Sequence, residues 1–131
     1  MAQGEPIAIV VHPDSPISSL TWAQLERIYK GKQVAWPNGE SIVATNRPPS
    51  NPLRKQFYQA ILKAKVTQQF LRPGSPIPFK TKRLKSEKAM KRFVGRVPSA
   101  IGYLAVNDVD AKVKVLRMDG RLPTDADYKL Q

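Results

Sequence analysis

The sequence predicts an α/β lobe in three layers, with a small, mostly parallel sheet flanked by helices. Three observations predict it. Short apolar runs at 7–11, 41–45 and 100–106 alternate with capped stretches of helical periodicity, the order that builds parallel sheets. The first of these runs is unbroken and rich in β-branched residues, as in a strand covered on both faces. The 131 residues hold no internal repeat and no linker, so they read as one ordinary domain that buries a core without metal or disulfide staples.

The first strand ends at His12-Pro13-Asp14-Ser15-Pro16, a cluster of turn formers. Thr21, with Gln24 three residues on, is a capping box, and Trp22, Leu25, Ile28 and Tyr29 follow at helical spacing until Gly31 closes the segment. Asn38-Gly39 is a turn, and 41–45 reads as a second strand. Past Asn46-Arg47-Pro48-Pro49-Ser50, Asn51 is an N-cap with Pro52 at the first helical position. That helix is predicted to run to about Lys63, with Leu53, Phe57 and Ile61 on one stripe and Tyr58 and Leu62 beside it. A short helix is expected near 66–71, then a proline-rich loop over 72–78. Ser86 caps a third helix carrying Met90, Phe93, Val94 and Val97, stopped by Pro98. A strand follows at 100–106, and another at 113–118 precedes the turn Asp119-Gly120. Residues 1–131 form one lobe in this reading, with 1–5 and about 126–131 loosely ordered.

Composition excludes several function classes. Without cysteine there is no disulfide, no thiolate nucleophile and no Cys-ligated zinc or iron–sulfur centre. The single histidine, His12, excludes multi-histidine metal sites, and beside Pro13 it reads as a turn residue rather than a catalytic base. Asp108 with Asp110, and Asp125 with Asp127, lack metal-loop spacing, so no metal is expected. No glycine-rich phosphate loop occurs, no cofactor is implied, and no catalytic set is legible, so an enzyme is not expected. No apolar run reaches the roughly 18 residues of a transmembrane helix. MAQGEP has neither a charged nor an apolar signal region; the expectation is an exported chain whose signal peptide is absent here.

The net charge of +12 is uneven. Residues 1–44 sum to −1, residues 45–104 to +13 with Glu87 as the one acid, and residues 105–131 to zero. The densest stretch carries Lys80, Lys82, Arg83, Lys85, Lys88, Lys91 and Arg92, a basic patch that attracts anions or else is a solvated face. A basic interaction module docking on nucleic acid, polyphosphate, an anionic envelope component or an acidic protein is therefore a standing alternative. Only Phe79 and Phe93 interleave with these cations, so a base-stacking surface is not indicated and nucleic acid is not favoured.

The strand–loop–helix at 41–63 is the most suggestive local feature. A helix N-terminus offers unpaired N–H groups and a positive dipole end to an anion. Arg47 and Arg54 flank that turn with bidentate donors, and Ser50, Asn51 and the Leu53 backbone add further donors. The competing reading is that Asn51 only caps its own helix and the arginines are surface residues.

Three motifs in order resemble one family. Leu25-x-x-Ile28-Tyr29-x-Gly31-Lys32-x-x-x-Trp36 is similar to a stretch of the phosphate-binding proteins of bacterial ABC importers. So is the strand into Arg47 with its capped helix bearing Phe57-Tyr58 and Ile61-Leu62, and so is Phe93-Val94-x-Arg96-x-Pro98-x-Ala100-Ile101-Gly102-Tyr103. The resemblance implies one lobe of a type 2 periplasmic binding protein, in periplasmic or otherwise exported service beside an ABC transporter or envelope partner. It implies Arg47 as a phosphate ligand. Where the family carries Ser-Gly-Thr, this chain has Asn51, Pro52 and Leu53, and the family's first lobe has no counterpart. Weak or partner-dependent binding of phosphate or another small anion is the expectation, since one lobe makes no dry cleft.

Overall fold

The computed structural model describes residues 6–71 and 74–131; the reading of residues 1–5 lies outside them. β1 (Ile7–Val11) is buried along its whole length, as its unbroken apolar run requires. Its side chains alternate between two cores. Ile7, Ile9 and Val11 face one that includes Leu25, Ile28 and Phe57. Ala8 and Val10 face the other, with Met90 and Val94. These two cores and the sheet between them make the three layers.

α1 (Trp22–Tyr29) begins at the predicted capping box, with Thr21 and Gln24 satisfying each other's backbone N–H. β2 (Ser19–Leu20) precedes it, and β3 (Val43–Asn46) follows. α2 (Pro52–Phe57) is capped by Asn51 and continues as a π-helical turn over Tyr58–Leu62, ending at Lys63 in the left-handed conformation. β4 (Lys82–Arg83), α3 (Glu87–Arg96, capped by Ser86) and β5 (Ala100–Ala105) come next, and β6 (Lys114–Val115) and β7 (Arg117–Met118) complete the order.

The main sheet has the order β4-β3-β5-β1-β6, and β2 pairs with β7 apart from it. β3 runs parallel to β4 and β5, whereas β1 is antiparallel to both β5 and β6. Four of the five strands therefore point one way and the sheet is mostly parallel, with β1 alone reversed. β1 is buried on both faces as expected, but its continuous apolar run reports that coverage and not its direction.

Three local expectations are corrected. Residues 66–71 form no helix. The chain instead turns back, so that Phe79 donates its N–H to Phe70 at 2.6 Å and Leu71 bridges Pro78. The predicted strand at 113–118 is split, because Leu116 turns into the core and donates its N–H to the Ile9 carbonyl at 2.9 Å. Loose order does not describe the C-terminal end: Tyr128 and Leu130 are buried, the Tyr128 hydroxyl donates to the Ile7 carbonyl at 2.7 Å, and its ring meets Trp22 edge-on at 5.2 Å.

Candidate functional site

The end of β3 places Thr45, Asn46 and, one residue on, Arg47, all buried, beside the start of α2. A buried polar group needs a partner, and each finds one. Thr45 donates its hydroxyl to the Ile101 carbonyl at 2.7 Å, and its own carbonyl accepts from the Tyr29 hydroxyl at 2.8 Å. The Asn46 side chain joins two tyrosines: its amide donates to the Tyr58 hydroxyl at 2.9 Å, while its oxygen accepts from the Tyr103 hydroxyl and from the Arg47 N–H. Around them Phe57 stacks on Tyr103 at 4.6 Å and meets Tyr29 edge-on at 4.9 Å. Burial pushes the Tyr29 and Tyr103 phenols above the ordinary tyrosine range.

Arg47 is among the largest fully buried side chains of the described residues. Its Nη2 donates to the Tyr103 carbonyl at 3.0 Å, and its Nη1 lies 2.7 Å from a carboxylate oxygen of Glu87, in the first turn of α3. That approach is a contact of opposite charges without hydrogen-bond alignment, and Nε and Nη1 have no aligned acceptor. The other Glu87 oxygen accepts from the Ala105 N–H at 3.1 Å. Glu87, the one acid of the basic central segment, is thus the counter-charge of the most buried cation among its described residues.

The remaining candidates divide. Arg54 is 4% exposed. Its Nε and Nη2 donate to the Val66 carbonyl and its Nη1 to the Arg47 carbonyl at 2.7 Å, so it braces the loop with three donors while its guanidinium lies 4.5 Å over the Tyr58 ring. The Asn51 oxygen accepts the Leu53 N–H at 2.8 Å, which is the capping role, and Ser50 is exposed at the helix tip. The structure therefore gathers Arg47, Arg54 and the Asn51 cap about one turn, with both arginines buried rather than on the surface.

The basic patch is not one surface. Lys82 and Arg83 lie on edge strand β4, with the Lys82 ammonium 5.6 Å over the Phe93 ring. Lys88, Lys91 and Arg92 share one face of α3 and line a groove of about 300 Å³ with Arg96 and Lys112. Lys91 is held there by Asp110 at 2.9 Å. The backbone N–H of Lys112 and then the Lys91 ammonium hold the Asp110 carboxyl below its usual range. Gly95 allows this close approach, since a Cβ there would meet the Lys112 carbonyl oxygen at 2.7 Å. Lys80 and Arg83 instead line a larger cavity near Arg54, and Lys85 is exposed.

Sequence reasoning missed Asn46 and Glu87. The isolation of Glu87 among fourteen cations was the signal for the second; nothing local marked the first. His12 serves its turn, accepting the Asp14 N–H at 3.0 Å. Among the described residues no three His, Cys, Asp or Glu side chains gather to hold a metal, and no helix is long and apolar enough to cross a membrane.

A strand that leads into a buried arginine beside a capped helix, within these three layers, is the fold of one lobe of a type 2 periplasmic binding protein. The chain is similar to phosphate receptors of ABC transporters. It is 27% identical over 122 residues to the phosphate-binding protein PstS of Bacillus subtilis (strain 168), covering 89% of this chain and 37% of that protein. An ABC-type phosphate transport receptor from Vibrio cholerae superposes with a TM-score of 0.80 at 27% identity, over 92% of this chain and 48% of the receptor. A putative phosphate ABC transporter substrate-binding protein from Clostridium perfringens, solved with bound phosphate, gives a TM-score of 0.76 at 24% identity, over 92% of this chain and 47% of its own. The chain spans about half the length of these solved receptors and 37% of the curated relative. No protein-family model matches it.

Proposed function

We propose that the chain is a non-enzymatic, exported binding lobe that meets a phosphate-like oxyanion from one side, at the turn formed by Arg47, Ser50, Asn51, Leu53 and Arg54, in the service of an ABC transporter. The observation that carries the reading is a buried arginine just past β3 beside an Asn-capped helix, in a fold shared with phosphate receptors. Binding is weak for three physical reasons. The Leu53 N–H is already taken by Asn51, Pro52 has none, and Glu87 offsets the charge of Arg47. An uncovered site also leaves the anion hydrated and screened. A covering second surface strengthens it by excluding water.

The test is a titration of the full chain with inorganic phosphate, followed by backbone amide NMR and calorimetry. The expected result is a saturable shift of the 47–54 amides, lost on Arg54→Gln, with Kd weaker than about 1 mM, which corresponds to roughly 4 kcal/mol. Undisturbed 47–54 amides, or micromolar affinity without a partner, overturns it.

A second reading, docking on a polyanion, is favoured by the basic groove along α3. It requires retention on heparin that falls steeply with salt and is lost on reversing Lys88 and Arg92 to Glu.

A further inference from the structure

A cavity of about 500 Å³ lies beside the Arg47–Arg54 turn and has a composition a bare phosphate does not need. Three cations line it, Arg54 at 4% exposure with Lys80 and Arg83, and among the described residues no carboxylate does. Its aromatic lining includes Tyr58, Phe70 and Phe79. The volume falls in the range of roughly 300–1,000 Å³ typical of sites for small organic ligands; an inorganic phosphate leaves most of it to water.

The walls are held in place. Phe79 donates its N–H to Phe70 at 2.6 Å and the next pair outward, Leu71 and Pro78, is bridged, so the two rings sit on paired backbone. Phe79 leans on Gly31, where a Cβ would come within 2.8 Å of its ring. That glycine closes α1 with φ +75°, so the motif after the first helix makes room for a cavity wall. Arg54 is fixed by the Val66 and Arg47 carbonyls and by the Tyr58 ring, and those contacts engage three of its five N–H donors. Among the described residues two donors remain unengaged, on a guanidinium whose position is already determined.

The geometry points to a small organic anion bearing one flat ring as the ligand of this cavity: the ring against Phe70 and Phe79, the charge toward Arg54, Lys80 and Arg83. Aromatic faces favour a flat partner over a saturated ring of equal size, and three cations without a carboxylate favour an anion. The site shares Arg54 with the oxyanion reading, and its test is chosen so that either can fail alone.

Phenyl phosphate, cyclohexyl phosphate and inorganic phosphate are titrated into the full chain at one ionic strength. Phenyl phosphate is expected to bind at least tenfold more tightly than the other two. Phe70→Leu, which keeps apolar bulk but removes the flat face, should erase most of that advantage without changing inorganic phosphate binding. Arg83→Gln should weaken phenyl phosphate severalfold, and Lys129→Gln, at an exposed position between buried Tyr128 and Leu130, should leave it unchanged. Equal binding of the phenyl and cyclohexyl esters, a phenyl advantage below twofold, or indifference to both Phe70→Leu and Arg83→Gln in folded protein overturns the inference. Phosphate-induced shifts at 47–54 without a phenyl advantage would overturn it and leave the oxyanion reading standing.

Discussion

Replacing Glu87 by glutamine removes one charge from the site while retaining an oxygen that accepts the Ala105 N–H. At the observed 2.7 Å, attraction to Arg47 is about 6 kcal/mol at an effective dielectric of about 20. Desolvating the guanidinium offsets most of that, so the pair's net contribution is small. Breaking it is another matter, because a fully buried cation is then left uncompensated, which costs about 3–5 kcal/mol in buried sites. The Glu87 side chain is 27% exposed, so water relieves part of that cost and the lower end, about 3 kcal/mol, applies. The assay is urea unfolding of the wild type, Glu87→Gln, Arg47→Met and the double variant. With a slope of about 1–3 kcal/mol per molar urea, the first change moves the midpoint down by about 1–3 M. Arg47→Met leaves a carboxylate that water can reach and should cost less. The cycle should return a coupling of about 2 kcal/mol. A coupling below about 0.5 kcal/mol would refute the view that Glu87 neutralises Arg47. The same variant uncovers the field of Arg47, so inorganic phosphate should bind Glu87→Gln severalfold more tightly than wild type.

Gly102→Ala places a Cβ 2.5 Å from the Thr45 hydroxyl, 2.6 Å from the Met90 sulfur and 3.1 Å from a Val94 methyl; overpacking of about 1–3 kcal/mol should appear in thermal unfolding. Thr21→Ala removes the hydroxyl that accepts the Gln24 N–H and should cost about 1 kcal/mol in the same measurement. Burial raises the phenols of Tyr29, Tyr103 and Tyr128 above their ordinary value of about 10. The unfolded chain therefore releases these protons first, so stability is intact below about pH 10 and falls as pH rises toward the folded values. Each tyrosine contributes up to about 1.4 kcal/mol per pH unit. Urea unfolding at stepped alkaline pH, with tyrosinate absorbance read alongside, checks this; unfolding unchanged through that window would contradict it.

What could be read from the sequence is what neighbours along the chain decide. The Thr21–Gln24 box, the Asn51 cap before Pro52 and the Ser86 cap each depend on groups two or three residues apart, and each forms. The burial of β1 followed from its own side chains. The turn carrying Arg47 and Arg54 was legible because a strand, two prolines and a cap are all local features.

The partners of those residues were not legible. Arg47 meets Glu87 forty residues away and Tyr103 fifty-six away, and no spacing rule connects them. Arg54 looked like a ligand donor from its position after the cap, yet Val66 and Arg47 carbonyls take three of its N–H groups because the chain folds back over it. The basic run from Lys80 to Arg92 read as one patch in sequence, and folding divides it between a sheet edge, a helix face and a cavity.

Sequence by itself determined the three capped helix starts and the apolar strands at 7–11, 43–46 and 100–105, because capping, proline geometry and apolar periodicity act within a few residues of chain. Only the tertiary structure decided that β1 runs against its neighbours, which cation receives the lone central carboxylate, and which rings enclose a cavity. Those outcomes depend on closing long loops around a shared core, where burial makes an unpaired charge or polar group too costly to leave and so selects its partner from anywhere in the chain.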